Sequence, residues 1–221
     1  ETDDGWLPIH GACRFGNRVD TADIIQCMLE LDPELINAED NDRYLPIHVA
    51  ALKGRTKSIE ILLKFDPDAA SKEINNGSRR LPLHVACVYD INLSSIQALY
   101  DAYPEAILAW DEYGDTPLDD ARSNGNRQAI DFLQTQLVYA RQAQDMTAMT
   151  TVDENGWLPL HRALKDNAPL GSIKLLVRGN RAALQVADQN GVYPVHIACK
   201  FSSVKVVKYL VELAGDTLNN V

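Results

Sequence analysis

One short pattern recurs six times along this chain: Leu7-Pro8-Ile9-His10, Leu45-Pro46-Ile47-His48, Leu81-Pro82-Leu83-His84, Thr116-Pro117-Leu118-Asp119, Leu158-Pro159-Leu160-His161 and Tyr193-Pro194-Val195-His196. The six prolines fall 38, 36, 35, 42 and 35 residues apart. A unit of that size cannot bury its own apolar face, so it must stack on copies of itself. The period therefore limits the fold to a linear array of small supersecondary units.

Each unit carries its own local instructions. Proline suits the first position of a helix, where its missing N–H would have had no partner. The apolar residue after it, and the alanine two places beyond the His slot (Ala12, Ala50, Ala86, Ala121, Ala163, Ala198), share one helical face and allow close helix approach. A turn follows, with Gly16, Gly54 or Gly125. A second helix then shows apolar residues at i, i+3 and i+4: Ile25/Met28/Leu29, Ile59/Leu62/Leu63, Ile96/Leu99/Tyr100, Ile173/Leu176/Val177 and Val207/Leu210/Val211. The fourth unit keeps Ile130 and Leu133 but has Gln134 in the third place. Asp32-Pro33, Asp66-Pro67, Tyr103-Pro104 and Gly179 read as helix stops. The acidic turn segments Asp40 to Arg43, Asp111 to Gly114, Asp153 to Gly156 and Asp188 to Gly191 lead into the next Leu-Pro.

In these features the chain resembles the ankyrin repeat, whose signature joins a Gly-containing β-turn to Thr-Pro-Leu-His-x-Ala and two antiparallel helices. The resemblance covers essentially the whole chain. It implies an all-α solenoid of stacked helix-turn-helix units with short β-hairpin fingers, a single domain over 1–221. Its units run approximately over 3–39, 40–75, 76–110, 111–152, 153–187 and 188–221. It also implies a curved array that binds partners on its concave side, through finger tips and inner helices. Only Thr116 retains the family threonine, so five units lose a capping hydroxyl worth about 1 kcal/mol each; apolar burial between fingers is the expected compensation. Arg43 and Arg79 stand where a turn glycine is expected. The interval of 42 after Pro117 predicts a lengthened second helix over 127–144 and a loop over 145–151.

Charge narrows the partners. The net charge of −10 argues against nucleic acid, which needs a basic face. Residues 81–115 hold six acids and no Lys or Arg, whereas residues 43–80 hold eight cations. The longest apolar runs, such as Ile61-Leu62-Leu63, are too short to insert in a membrane. The acidic start lacks the n-region of a secretory signal. With no initiator Met and no polar cap at either end, the chain reads as part of a longer one.

No cofactor, metal site or catalytic centre is expected. The histidines occur one per unit, and helices pack about 8–10 Å apart, so equivalent imidazoles cannot converge on an ion; each is expected to bond backbone between neighbouring repeats. Cys13, Cys87 and Cys199 follow the motif alanine and read as small core residues, while Cys27 has no mate. Free thiols point to a reducing compartment, cytoplasmic or nuclear. Asp119 replaces the motif His, and a carboxylate buried there needs a partner or water.

The candidate binding residues fall in two registers. Trp6, Tyr44, Arg80, Asp115, Trp157 and Val192 precede each Leu-Pro; Phe15, Lys53, Tyr89, Asn124, Asp166 and Phe201 end each first helix. Large aromatics in such positions are favoured hot-spot types. Trp6, Phe15, Tyr44, Lys53, Arg80, Tyr89, Asp115, Trp157 and Phe201 are the chosen partner-binding set. The function expected is a non-enzymatic scaffold or adaptor that holds a protein partner. The alternatives are a targeting segment of a larger enzyme and a structural subunit of an assembly.

Overall fold

The computed structural model describes residues 6–15, 21–89 and 92–218, with side chains to 213. Gly16, Asp90 and the two chain ends lie outside the described residues. Two compact units emerge, Glu1–Gln134 and Thr135–Val221.

In the first unit the helix pairs are α1 (Pro8–Phe15) with α2 (Thr21–Leu31), α3 (Pro46–Leu52) with α4 (Thr56–Phe65), and α5 (Pro82–Val88) with α6 (Leu93–Ala102); α7 (Pro117–Ser123) then leads into α8 (Arg127–Gln144). First helices stack on first helices and second on second: α1 on α3 on α5 on α7, and α2 on α4 on α6. Ala50, Ala86 and Ala121 are fully buried at the stacking face, as the close approach requires. Ile25, Leu29, Ile59, Leu62, Ile96, Leu99 and Tyr100 form the second-helix core. Phe132 of α8 meets Tyr100 edge to face at 5.6 Å.

The proline stops do more than end helices. Pro33–Asn37, Pro67–Ser71 and Pro104–Leu108 are single turns of 3₁₀ helix, and Asp32 and Asp66 cap the first two by accepting the N–H of Glu34 and Asp68. Among the described residues the fingers contain no strand; most are tight turns closed by a pair of backbone bonds, such as Asp40 N–H to Tyr44 O and Arg43 N–H to Asp40 O, both at 3.0 Å. Arg43 adopts φ 67° and Arg79 φ 55°, beside Gly114, Gly156 and Gly191 at 82°, 71° and 74°. Arginine thus takes the left-handed turn conformation despite a steric cost of roughly 1 kcal/mol. The finger containing Arg79 is longer, closed between Ile74 and Arg80.

The second unit contains the end of α8, then α9 (Met146–Thr150), α10 (Pro159–Lys165), α11 (Leu170–Gly179), α12 (Pro194–Phe201) and α13 (Val204–Leu218). The predicted loop over 145–151 is thus mostly helical: Asp145 caps α9 by accepting from Thr147 and Ala148 N–H. Gly179 is the last residue of α11, so the helix ends where the sequence indicated. A Cβ there would meet Ala143 O at 2.8 Å and Met149 at 3.2 Å, so glycine is required for close approach to the inserted segment. In α13 Leu210 is buried and Val207 packs against the core, as expected, but Val206 is the fully buried valine and Val211 is exposed. Cys199 is exposed rather than core, because in the last repeat no further helix covers its face among the described residues.

Candidate partner-binding site

The site is built on two repeated devices. The first is the motif histidine. In His10, His48, His84 and His161, Nδ1 accepts the N–H of the residue three places earlier, at 3.2–3.3 Å. Nε2–H donates to Ala38 O, Lys72 O, Ala109 O and Val186 O, at 3.0–3.2 Å. Each imidazole therefore ties the start of a first helix to the end of the 3₁₀ turn in its own repeat, not to a neighbouring repeat as expected. Asp119 accepts Thr116 N–H in the same way as these rings accept theirs. The donor that a threonine hydroxyl would take, the N–H of the His position, turns to the Leu carbonyl instead, as His48 N–H does to Leu45 O at 2.9 Å. Both nitrogens are committed to the neutral ring, and burial lowers His48 to about 4. Among the described residues His196 makes the first of these bonds, and it is exposed.

The second device is the finger aspartate. Asp40, Asp111, Asp153 and Asp188 each use Oδ1 to accept N–H groups two and four residues on. Oδ2 is left for a neighbour. Asp111 Oδ2 accepts from Arg80 Nε at 3.1 Å and Asp188 Oδ2 from Trp157 Nε1 at 3.1 Å. Arg80 and Trp157 occupy the same register, so this position links one finger to the next.

These devices place the candidate residues. In the first unit Trp6 and Phe15 lie with ring centres 6.0 Å apart, and Arg14 stacks 4.5 Å over Trp6. Phe15 is 70% exposed. Tyr44 packs edge-on to His48 at 6.0 Å, and burial raises its phenol pKa, with Tyr89 close enough to add to the shift. Tyr89 itself is 50% exposed at the end of α5. Arg80 bridges Asp111 and Asp120, each at 3.1 Å, with Asp115 half-exposed nearby. Lys53 is exposed at the end of α3 and joins neither group. In the second unit Arg162 lies over Trp157 at 5.4 Å, while Phe201 is flanked by Lys165 at 3.7 Å and Lys200 at 5.1 Å. Trp157 and Phe201 have no ring contact with each other among the described residues.

Asp119 is half-exposed and structural. It accepts from Thr116 N at 3.2 Å and Thr116 Oγ1 at 2.6 Å, and pairs with Arg122 at 3.3 Å; the Thr116 bond holds its carboxyl below the usual range. Its neighbour is the outlier. Asp120 is only 4% exposed, and Oδ2 has no hydrogen-bond partner. Sequence reading also passed over Trp110 and Tyr113, which flank the fourth finger at 65% and 73% exposure. Nothing in the repeat period distinguishes these rings from packed ones.

The family model for ankyrin repeats, in three copies, matches residues 134–220. This is an ankyrin-repeat protein. The His-to-carbonyl tie in repeats one to three shows the same repeat unit ahead of the matched region. Among known relatives of this ankyrin-repeat chain, human transient receptor potential cation channel subfamily A member 1 is 31% identical over 131 residues, 59% of this chain and 10% of the relative. Inversin from Canis lupus familiaris is 25% identical over 130 residues, 57% of this chain and 12% of the relative. The chain therefore matches only about a tenth of either relative's length. Ankyrin repeats are in general protein-interaction modules, typically non-catalytic. Among the described residues no helix is long and apolar enough to cross a membrane.

Proposed function

We propose that this protein is a non-enzymatic scaffold that holds a protein partner against the residues preceding each Leu-Pro and those ending each first helix. The observation that carries the reading is the exposure of large rings at a repeated register: Phe15 and Tyr89, 70% and 50% exposed, stand at the ends of first helices whose other faces are packed. Solvated aromatics on a rigid framework are the residues an interface recruits as anchors. Their supports are fixed beforehand by the histidine and aspartate devices, so little ordering is needed on binding. The free thiols favour a reducing compartment, cytoplasm or nucleus, as the place of action.

The decisive measurement pairs affinity with stability. A partner captured by the intact protein should be lost by Tyr44→Ala with Tyr89→Ala, and by Trp157→Ala with Phe201→Ala, each pair weakening binding by about 2 kcal/mol or more. The melting temperature should stay nearly constant. Joint loss of affinity and stability makes the rings packing residues, and unchanged affinity in both pairs removes this surface from the interface.

A further inference from the structure

The slot two places before the stacking cysteine or its equivalent is apolar in the two repeats preceding Asp120: Val49 and Val85, both buried. In the fourth repeat it holds Asp120. Packing alone gives no reason for a carboxylate there, and leaving its Oδ2 unpaired is unfavourable. Around it the charges do not balance. Asp111 and Asp120 share one guanidinium, Arg80, which bonds both, and Asp115 lies close enough to Asp120 to add a further negative charge beside it. Asp115 uses only its backbone among the described residues. Asp119 and Arg122 neutralise each other.

The imbalance extends through the unit. Residues 1–134 carry 12 Lys and Arg against 24 Asp and Glu, whereas residues 135–221 carry nine against seven. All the net negative charge therefore lies in the first unit. Tyr44, close to both Arg80 and half-exposed Tyr89, gives the cluster an aromatic border. Carboxylates bordered by rings suit a cation. Among the described residues no three His, Cys, Asp or Glu groups are arranged to hold a metal ion, so an organic cation is the better fit.

We infer that the cluster of Asp115, Asp120 and Arg80 beside Tyr89 receives a Lys or Arg side chain from a basic segment of the protein partner. The incoming cation pairs with Asp115 at the surface, beside the partly exposed Arg80. Behind that arginine, Asp120 contributes unbalanced negative charge to the same point. This inference rests on the scaffold reading above and specifies the chemistry of its first-unit contact.

The test uses the full chain and a fluorescein-labelled Gly-Arg-Gly-Arg-Gly-Arg-Gly peptide, with the Glu counterpart and free spermine as comparators, read by anisotropy at low and physiological salt. The Arg peptide should bind, the Glu peptide should not, and spermine should compete only weakly. Asp115→Asn and Asp120→Val should each weaken the Arg peptide about tenfold. Asp23→Asn and Glu60→Gln, exposed acids on α2 and α4, should change it less than about twofold. Equal losses across all four variants reduce the effect to diffuse charge and overturn the proposal, as do unchanged site variants or spermine binding as tightly as the peptide. Should Asp120→Val fail to fold, half-exposed Asp115→Asn decides alone. The scaffold reading fails separately: it falls if the Tyr44/Tyr89 pair keeps the protein partner, whatever the Arg peptide does.

Discussion

The third and fourth repeats are neighbours in the same unit and open on the same Pro-Leu pair, yet they close differently. In the third, His84 ties Leu81 N–H to Ala109 O, Val85 fills its slot with apolar volume, and a 3₁₀ turn follows the second helix. In the fourth, Asp119 serves only the helix start, Asp120 sits in the slot, and the second helix runs on for 18 residues with no 3₁₀ turn after it. A carboxylate can accept from the helix start, but when ionised it has no proton to give a distant carbonyl. Losing the imidazole therefore removes the tie across the repeat, and the chain beyond α7 is released from the spacing that the tie imposes.

The largest expected effect tests the tie itself. His84→Ala leaves buried Leu81 N–H and Ala109 C=O without partners and should cost about 3 kcal/mol in urea unfolding. Asp119→Ala, half-exposed and with the Thr116 hydroxyl still in place, should cost only about 1 kcal/mol. Equal costs would erase the distinction between the two repeats.

Acid titration sharpens it next. The folded pKa of His48, about 4, lies below its ordinary 6.5. The unfolded chain therefore takes up the proton first, and the stability contributed by the neutral ring is present above pH 6.5 and lost as pH falls toward 4. At pH 5 the loss from His48 is roughly 2 kcal/mol. His84 and His161, lowered mainly by burial, act in the same direction. Asp119 replaces the motif His, so the fourth repeat adds no such loss. A His48→Gln variant should show a flatter stability profile between pH 7 and 5; an unchanged slope would contradict the buried neutral imidazole.

The smallest effect concerns the slot. Burial raises Asp120 to about 6 from 3.8. Here the folded state takes the proton first, so the penalty is present above pH 6 and relieved as pH falls toward 4. Asp120→Val should therefore stabilise by about 1 kcal/mol at pH 7, with the gain shrinking below pH 6. A destabilised variant at pH 7 would show that the Arg80 bridge outweighs the desolvation of the carboxylate.

Much of this architecture was readable because it is periodic. The six prolines mark six helix starts, and α8 covers 127–144 as the long interval and the Ile130, Leu133, Leu137, Ala140 pattern indicated. What escaped is set by contacts that one repeat's sequence cannot display. The histidines' second bond reaches a carbonyl 24–28 residues away. Asp145 caps a helix too short to show a hydrophobic period. Arg43 turns left-handed because the Asp40 bonds hold its finger, overriding a weak residue preference. At the site, aromatic type was legible, but exposure was not: Tyr44, before a Leu-Pro, is partly buried and Tyr89, at the end of a first helix, is exposed.

The histidine tie also bears on the order in which the chain assembles. It joins points about 25 residues apart, a short loop with a small entropic cost to close. Repeats one, two and three can each shut on themselves before a neighbour arrives. The fourth has no such latch and must wait for the surface that the third provides. Folding should therefore begin among the latched repeats and reach α7 late, and amide exchange at the α7 helix start should outpace exchange at α3 and α5.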